Sequence, residues 1–85
     1  MQEFKYVIKD ELGIHARPAG LLVKEVKKYE SQVTLAVGDK SAVAKGIMGI
    51  MALGVEQGNE VTVTAEGADE EAAIAGLKAF FEANL

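Results

Sequence analysis

The chain has one histidine, His15, and it stands in the segment Gly13-Ile14-His15-Ala16-Arg17-Pro18-Ala19. Neutral imidazole has a free lone pair and is a nucleophile. Arg17, two residues on, supplies a planar cation that binds phosphate oxygens at two points. Pro18 suits a first helical turn, where its missing N–H costs nothing. These residues predict a helix starting within a residue or two of Ala16, with His15 at the junction of loop and helix. The first N–H groups of a helix lack internal partners and the dipole is positive there, so the junction attracts anions. An anionic group transferred to the imidazole meets the same N–H groups and Arg17. The residues alone establish an anion-friendly histidine without naming a reaction. The plainer reading, an exposed loop histidine beside a solvated cation, stays open at this level.

A second segment is Gly46-Ile47-Met48-Gly49-Ile50-Met51-Ala52-Leu53-Gly54, a short apolar stretch that predicts a helix of two turns over 47–53, ended by Gly54. If Ile50 and Leu53 point inward, Ile47, Met48 and Met51 are left toward solvent, as an adaptable protein-binding patch. The bland alternative is a short helix buried on more than one side. Metal binding is poorly supported, with one histidine, no cysteine and scattered carboxylates. No Gly-rich nucleotide loop or serine-centred triad is visible.

The elements that must position these residues are legible from periodicity. Phe4, Tyr6 and Ile8 alternate with Lys5, Val7 and Lys9, the pattern of a half-buried strand, and Asp10 to Gly13 begin a loop. Ala19, Leu22, Val23 and Val26 recur at helical spacing to about Tyr29. Strands follow over 33–37 and 41–44, joined at Gly38-Asp39, where glycine first permits a type II′ turn. A fourth strand covers 61–65. Asp69 is a plausible N-cap for a last helix with Glu70 and Glu71 in its first turn, and Ile74, Leu77, Phe80 and Phe81 form its apolar face. The order βαββαβα fits an α+β two-layer sandwich, an antiparallel sheet with helices packed on one face.

Eighty-five residues fit one domain, 1–85, too small for a deep enclosed active site. The net charge of −4 argues against a general nucleic-acid binder. Residues 1–45 hold eight Lys/Arg against six Asp/Glu, and residues 46–85 one Lys against seven acids. Arg17, Lys24, Lys27 and Lys28 thus form a positive face on an acidic chain, suited to a phosphate or an acidic partner. No apolar run approaches the ~18 residues of a membrane span, so the expectation is a cytoplasmic protein.

The segment from Gly13 to Ala19 resembles the active-site signature of the HPr family, the phosphocarriers of the bacterial phosphoenolpyruvate-dependent sugar phosphotransferase system. Lys45 to Met51 resembles the family's second signature, around its regulatory serine, and the resemblance runs along essentially the whole chain. It implies an open-faced β-sandwich, four antiparallel strands in order 1-4-2-3 with three helices on one side. It implies that His15 is phosphorylated through Nδ1 by phosphorylated enzyme I and passes the group to a sugar-specific enzyme IIA. Arg17 would steady the phosphate, together with the backbone of Ala16, Arg17 and Pro18. The partner surface would combine Ala16, Arg17, Gly20, Lys24 and Lys27 with Ile47, Met48 and Met51. The chain would be a transiently associating monomer and a carrier, with no cofactor of its own, since Mg²⁺ serves enzyme I. Two departures stand out. Gly46 occupies the position of the serine phosphorylated in many Gram-positive members and has no hydroxyl to modify. Leu12 stands where a small polar residue is expected beside the site. The rival readings are a regulatory binding module of the same fold, a carrier for nitrogen-related signalling and, least compatible with the size, a standalone enzyme.

Overall fold

The computed structural model describes residues 1–85. Seven elements follow one another: β1 (Gln2–Val7), α1 (Ala16–Val26), β2 (Gln32–Val37), β3 (Lys40–Val43), α2 (Ile47–Met51), β4 (Glu60–Glu66) and α3 (Glu70–Asn84). The strands form one antiparallel sheet in the order β1-β4-β2-β3. Register follows the side-chain alternation. Phe4 and Tyr6 stand opposite Val63 and Val61, and Leu35 opposite Val63. One face of each strand is thereby directed at the helices, which contribute Ala19, Leu22 and Val23 from α1, Ile50 from α2 and Ala73, Leu77 and Phe81 from α3. Phe81 is fully buried and meets Phe4 and Tyr6 edge-on, at ring separations of 5.6 and 5.7 Å. Truncating such a ring to alanine costs about 3–5 kcal/mol.

The sheet and helix order are as expected, and the ends of two helices are not. The apolar spacing carries the first helix to about Tyr29, yet α1 stops at Val26. Beyond it, the N–H groups of Lys28 and Tyr29 donate to carbonyls only three residues back, a tightened turn that ends the helix. The short helix likewise stops at Met51 rather than Leu53. Leu53 and Gly54 donate to Ile50 and Met51, and Gly54 turns the chain away at φ 63°. The strands are displaced from their expected spans by up to two residues, β1 running from Gln2 to Val7 and β3 from Lys40 to Val43. The Gly38-Asp39 turn has the left-handed φ of 59° at its glycine, as the type II′ geometry requires.

What presents the site is the loop between β1 and α1. Its entry is tied to the end of α3, because the Lys9 and Asp10 N–H groups both donate to the Leu85 oxygen, at 2.6 and 2.8 Å. Its exit is tied to the segment after α2, because the Ile14 N–H donates to the Val55 carbonyl at 3.2 Å. Gly13 makes that second contact possible. It sits at φ 67°, and a Cβ there would overlap the Val55 oxygen and the backbone of Glu56.

Candidate functional site

His15 is the N-cap of α1, in extended conformation at φ −103° and ψ −175°. Its carbonyl accepts the first helical bond, from the Ala19 N–H at 2.9 Å, while its side chain makes no capping bond. The imidazole is therefore not spent on the helix. The N–H groups of Ala16 and Arg17 donate to no backbone carbonyl, as the geometry of a helix start dictates. Pro18 corrects the expected donor set. It lines the site and is buried, but it has no N–H, so the backbone donors are those of Ala16 and Arg17.

The imidazole opens into a depression of about 250 Å³ lined by Asp10, His15, Arg17, Pro18, Leu21 and Asn84. The side chain is partly exposed, at 37%. Arg17 is exposed on α1, and none of the chain's three close ion pairs involves it, so its guanidinium remains available to an anion. One of those pairs brings Asp10 Oδ1 to 4.0 Å from His15 Nε2. No three His, Asp or Glu side chains converge to hold a metal ion.

Three lining residues are not among the expected site residues. Leu21 lies one turn past Arg17 on the same side of α1, a relation that helical spacing contains. Asp10 and Asn84 arrive through tertiary structure, one from the loop and one from the end of α3, where its amide donates to the Phe80 carbonyl at 3.0 Å.

The second expected surface adjoins the first. Lys24 on α1 and Lys27 at its C-cap are exposed. Ile50 and Leu53 are buried, while Ile47, Met48 and Met51 are exposed, with Met48 at 82%. Gly20 joins the two regions. A Cβ at Gly20 would lie 3.6 Å from Ile47 Cδ1, so this glycine faces α2 across the helix contact. Leu12 is also exposed, and its backbone N–H rather than its side chain is tied locally, to Asp10 Oδ1 at 2.8 Å. Gly46 is the N-cap of α2 at φ −148°, with nothing within 4 Å of where a Cβ would stand.

Asp69 departs from its expected role. It holds the N-cap position of α3, but its carboxylate makes no capping bond. It accepts instead from the Ser31 hydroxyl and from the N–H groups of Glu30 and Ser31, across 38 and 39 residues of chain. The Ser31 hydroxyl bond first, and then the Glu30 N–H, hold this carboxyl below its ordinary range. Glu70, the first helical residue, accepts from the Gly67 N–H at 3.2 Å, which ties the turn before the helix rather than capping it.

Comparison with known proteins decides the family. A family model described as the PTS HPr component phosphorylation site matches residues 2–83. The chain belongs to the HPr family. It is 44% identical to the phosphocarrier protein HPr of Mycoplasma genitalium over 85 residues, covering 99% of this chain and 97% of that one. Its fold matches the crystal structure of HPr from Thermoanaerobacter tengcongensis with a TM-score of 0.92 at 48% identity, over 98% of this chain and 93% of the other. It also resembles Crh, the catabolite repression protein of Bacillus subtilis, with a TM-score of 0.79 at 39% identity. Those shares are 100% and 98%, and that Crh structure is a swapped dimer. HPr proteins of the phosphotransferase system are phosphocarriers rather than catalysts.

Proposed function

We propose that this HPr protein receives a phosphoryl group on His15 from phosphorylated enzyme I and gives it to a sugar-specific enzyme IIA. The observation that carries this reading is the meeting of three features in one depression. The imidazole is free of capping bonds, two helix-start N–H groups are uncommitted, and a guanidinium has no carboxylate partner. Phosphoryl transfer needs in-line alignment and charge stabilisation more than covalent assistance. A carrier must also release its cargo, and an open site with one arginine and two backbone donors holds a phosphate only moderately, without enclosing it. The donor and acceptor proteins then exclude water and supply the remaining stabilising groups.

Docking in this scheme uses the cations of α1 (Arg17, Lys24, Lys27) with Ala16 and Gly20, and the apolar side chains of α2 (Ile47, Met48, Met51). The complexes are transient and weaken as salt rises. The protein needs no cofactor of its own, since Mg²⁺ acts on enzyme I. It works in the cytoplasm as a monomer. Relatives do dimerise, as HPr of Thermoanaerobacter tengcongensis and Crh show, and light scattering across concentrations tests that part of the proposal.

The deciding experiment is incubation with enzyme I, Mg²⁺ and phosphoenolpyruvate, followed by intact-mass spectrometry under non-acidic conditions. One acid-labile phosphate mapped to His15 supports the carrier. No phosphate, from an enzyme I that labels a control carrier, turns the reading to a regulatory binding module that uses the Ile47/Met48/Met51 surface.

A further inference from the structure

Asp10 is held more firmly than its place in a loop would require. Its N–H donates to the Leu85 oxygen at 2.8 Å, its carbonyl accepts from the Gly13 N–H at 3.0 Å, and its Oδ1 accepts from the Leu12 N–H at 2.8 Å. That same Oδ1 lies 4.0 Å from His15 Nε2, in the depression that Arg17 also lines. The two side chains are 37% and 32% exposed, so their attraction adds little to stability. A fixed acceptor facing one ring nitrogen does something else. At 4.0 Å the pair is not hydrogen-bonded, but the negative charge on that side of the ring favours the tautomer with the proton on that nitrogen and the lone pair on the other.

We infer that Asp10 is a positioning residue for phosphoryl transfer, keeping the proton of His15 on Nε2 so that Nδ1 is the nucleophile on acceptance and the leaving atom on donation. This rests on the reading of His15 as the phosphoryl acceptor. On acceptance the Nδ1 lone pair forms the new P–N bond, and the donor's bond to phosphorus breaks with its electron pair going to the donor. Nε2 keeps its proton throughout, and the ring's positive charge faces the Asp10 carboxylate. On donation the acceptor's lone pair attacks phosphorus and the P–N electron pair returns to Nδ1. Because Nε2 still bears its proton, the ring leaves as neutral imidazole rather than as imidazolate. No proton is gained or lost over the cycle. Arg17 acts on the phosphoryl oxygens and Asp10 on the far side of the ring, so the two charges are complementary rather than competing.

A carboxylate bonded to the N–H two residues on is also a common turn former, and Asp10→Asn separates the two roles. Asparagine keeps an oxygen for the Leu12 N–H and removes the charge. The full chain is examined by ¹⁵N NMR for the His15 tautomer, then by rapid-quench kinetics of acceptance from enzyme I and donation to enzyme IIA. With the amide spectrum otherwise preserved, Asp10→Asn is expected to raise the Nδ1–H tautomer several-fold. Donation should slow by about tenfold, equivalent to about 1.4 kcal/mol of barrier. Asp10→Ser, which can also bond the backbone two residues on, repeats the test should asparagine disturb the loop. An unchanged tautomer ratio with unchanged rates would make Asp10 a turn former only and overturn the inference. Faster transfer in the variant would overturn it too, showing that the carboxylate merely repels the phosphoryl group. Failure of the parent chain to take phosphate from a competent enzyme I would refute the carrier reading. The tautomer ratio of the unphosphorylated chain still decides the role of Asp10 in that case.

Discussion

The first turns of α1 and α2 are two versions of one backbone device with opposite outcomes. Each begins at an extended N-cap, His15 at φ −103° and Gly46 at φ −148°, and neither receives a side-chain capping bond. The helices touch where Gly20 faces Ile47. At His15 the loop before the helix is fixed at both ends, by Leu85 on one side and Val55 on the other, and the side chain opens into a lined depression. At Gly46 there is no side chain and nothing within 4 Å of where one would begin. A helix start supplies donors and a favourable field in both places. Only the one with a nucleophile, a free cation and a fixed approach is equipped for group transfer.

The largest expected effect tests that asymmetry directly. His15→Ala should abolish phosphorylation by enzyme I, while the partly exposed position leaves stability within about 0.5 kcal/mol of the parent. Continued labelling of a folded His15→Ala chain would place the acceptor elsewhere. Arg17→Ala should lower the rate of phosphoryl transfer on the order of 10²-fold, as removal of one charge-stabilising donor does. Arg17→Lys should recover part of that loss, since it keeps the charge and loses the two-point geometry. Equal rates for the two variants would mean that only net charge at this position matters.

Gly13→Ala tests the fixed approach. The left-handed φ costs alanine about 1–2 kcal/mol, and relieving its overlap with the Val55 backbone adds about 1–3 kcal/mol. Urea unfolding should therefore show a loss of about 2–5 kcal/mol. Phosphorylation should suffer in the surviving folded fraction, because the Ile14 anchor to Val55 is displaced. A destabilised chain with an unchanged transfer rate would show that the loop's exit does not position His15.

How much of this was written in the sequence differs between the two helix starts and their surroundings. Strand alternation placed Phe4, Tyr6, Val61 and Val63 correctly, because a two-residue period is local. The start of α1 was legible from Pro18 and the apolar spacing after it. The helix ends were not, since the bonds that close α1 and α2 reach three residues back and leave no mark in the periodicity. Asp10 and Asn84 reach the depression from opposite ends of the chain, through the Leu85 anchor, which no spacing reveals. Asp69 had the right position for a cap, yet tertiary structure brought Ser31 close enough to claim its carboxylate.

That third helix start sharpens the comparison through pH. The Asp69 carboxyl is held below its ordinary range chiefly by the Ser31 hydroxyl and the Glu30 N–H. A lowered folded-state value contributes stability that is fully present above the ordinary carboxylate range, about pH 4, and is lost as pH falls through the folded-state value. Asp69→Asn should flatten the acid limb of a Tm-against-pH curve while leaving His15 phosphorylation at neutral pH unchanged. An acid limb as steep as the parent's would assign that limb to other carboxylates, such as Glu70, which is also held low by its hydrogen bonds.

The smallest effect comes from giving the second helix start the side chain it lacks. Gly46→Ser enters open space at backbone angles any residue adopts, so there is no strain to offset its benefit. A serine N-cap is worth only a few tenths of a kcal/mol more than glycine. In a chain of 85 residues that raises Tm by about 1–3 °C. The hydroxyl is also a group that a serine kinase can modify, where Gly46 offers none. Before any such modification, transfer through His15 should match the parent within about twofold, a small difference on the free-energy scale. A larger change in the unmodified variant would mean that the contact between Gly20 and Ile47 couples the two helix starts. His15 would then depend on how α2 begins, and the two starts would have to be treated as one site.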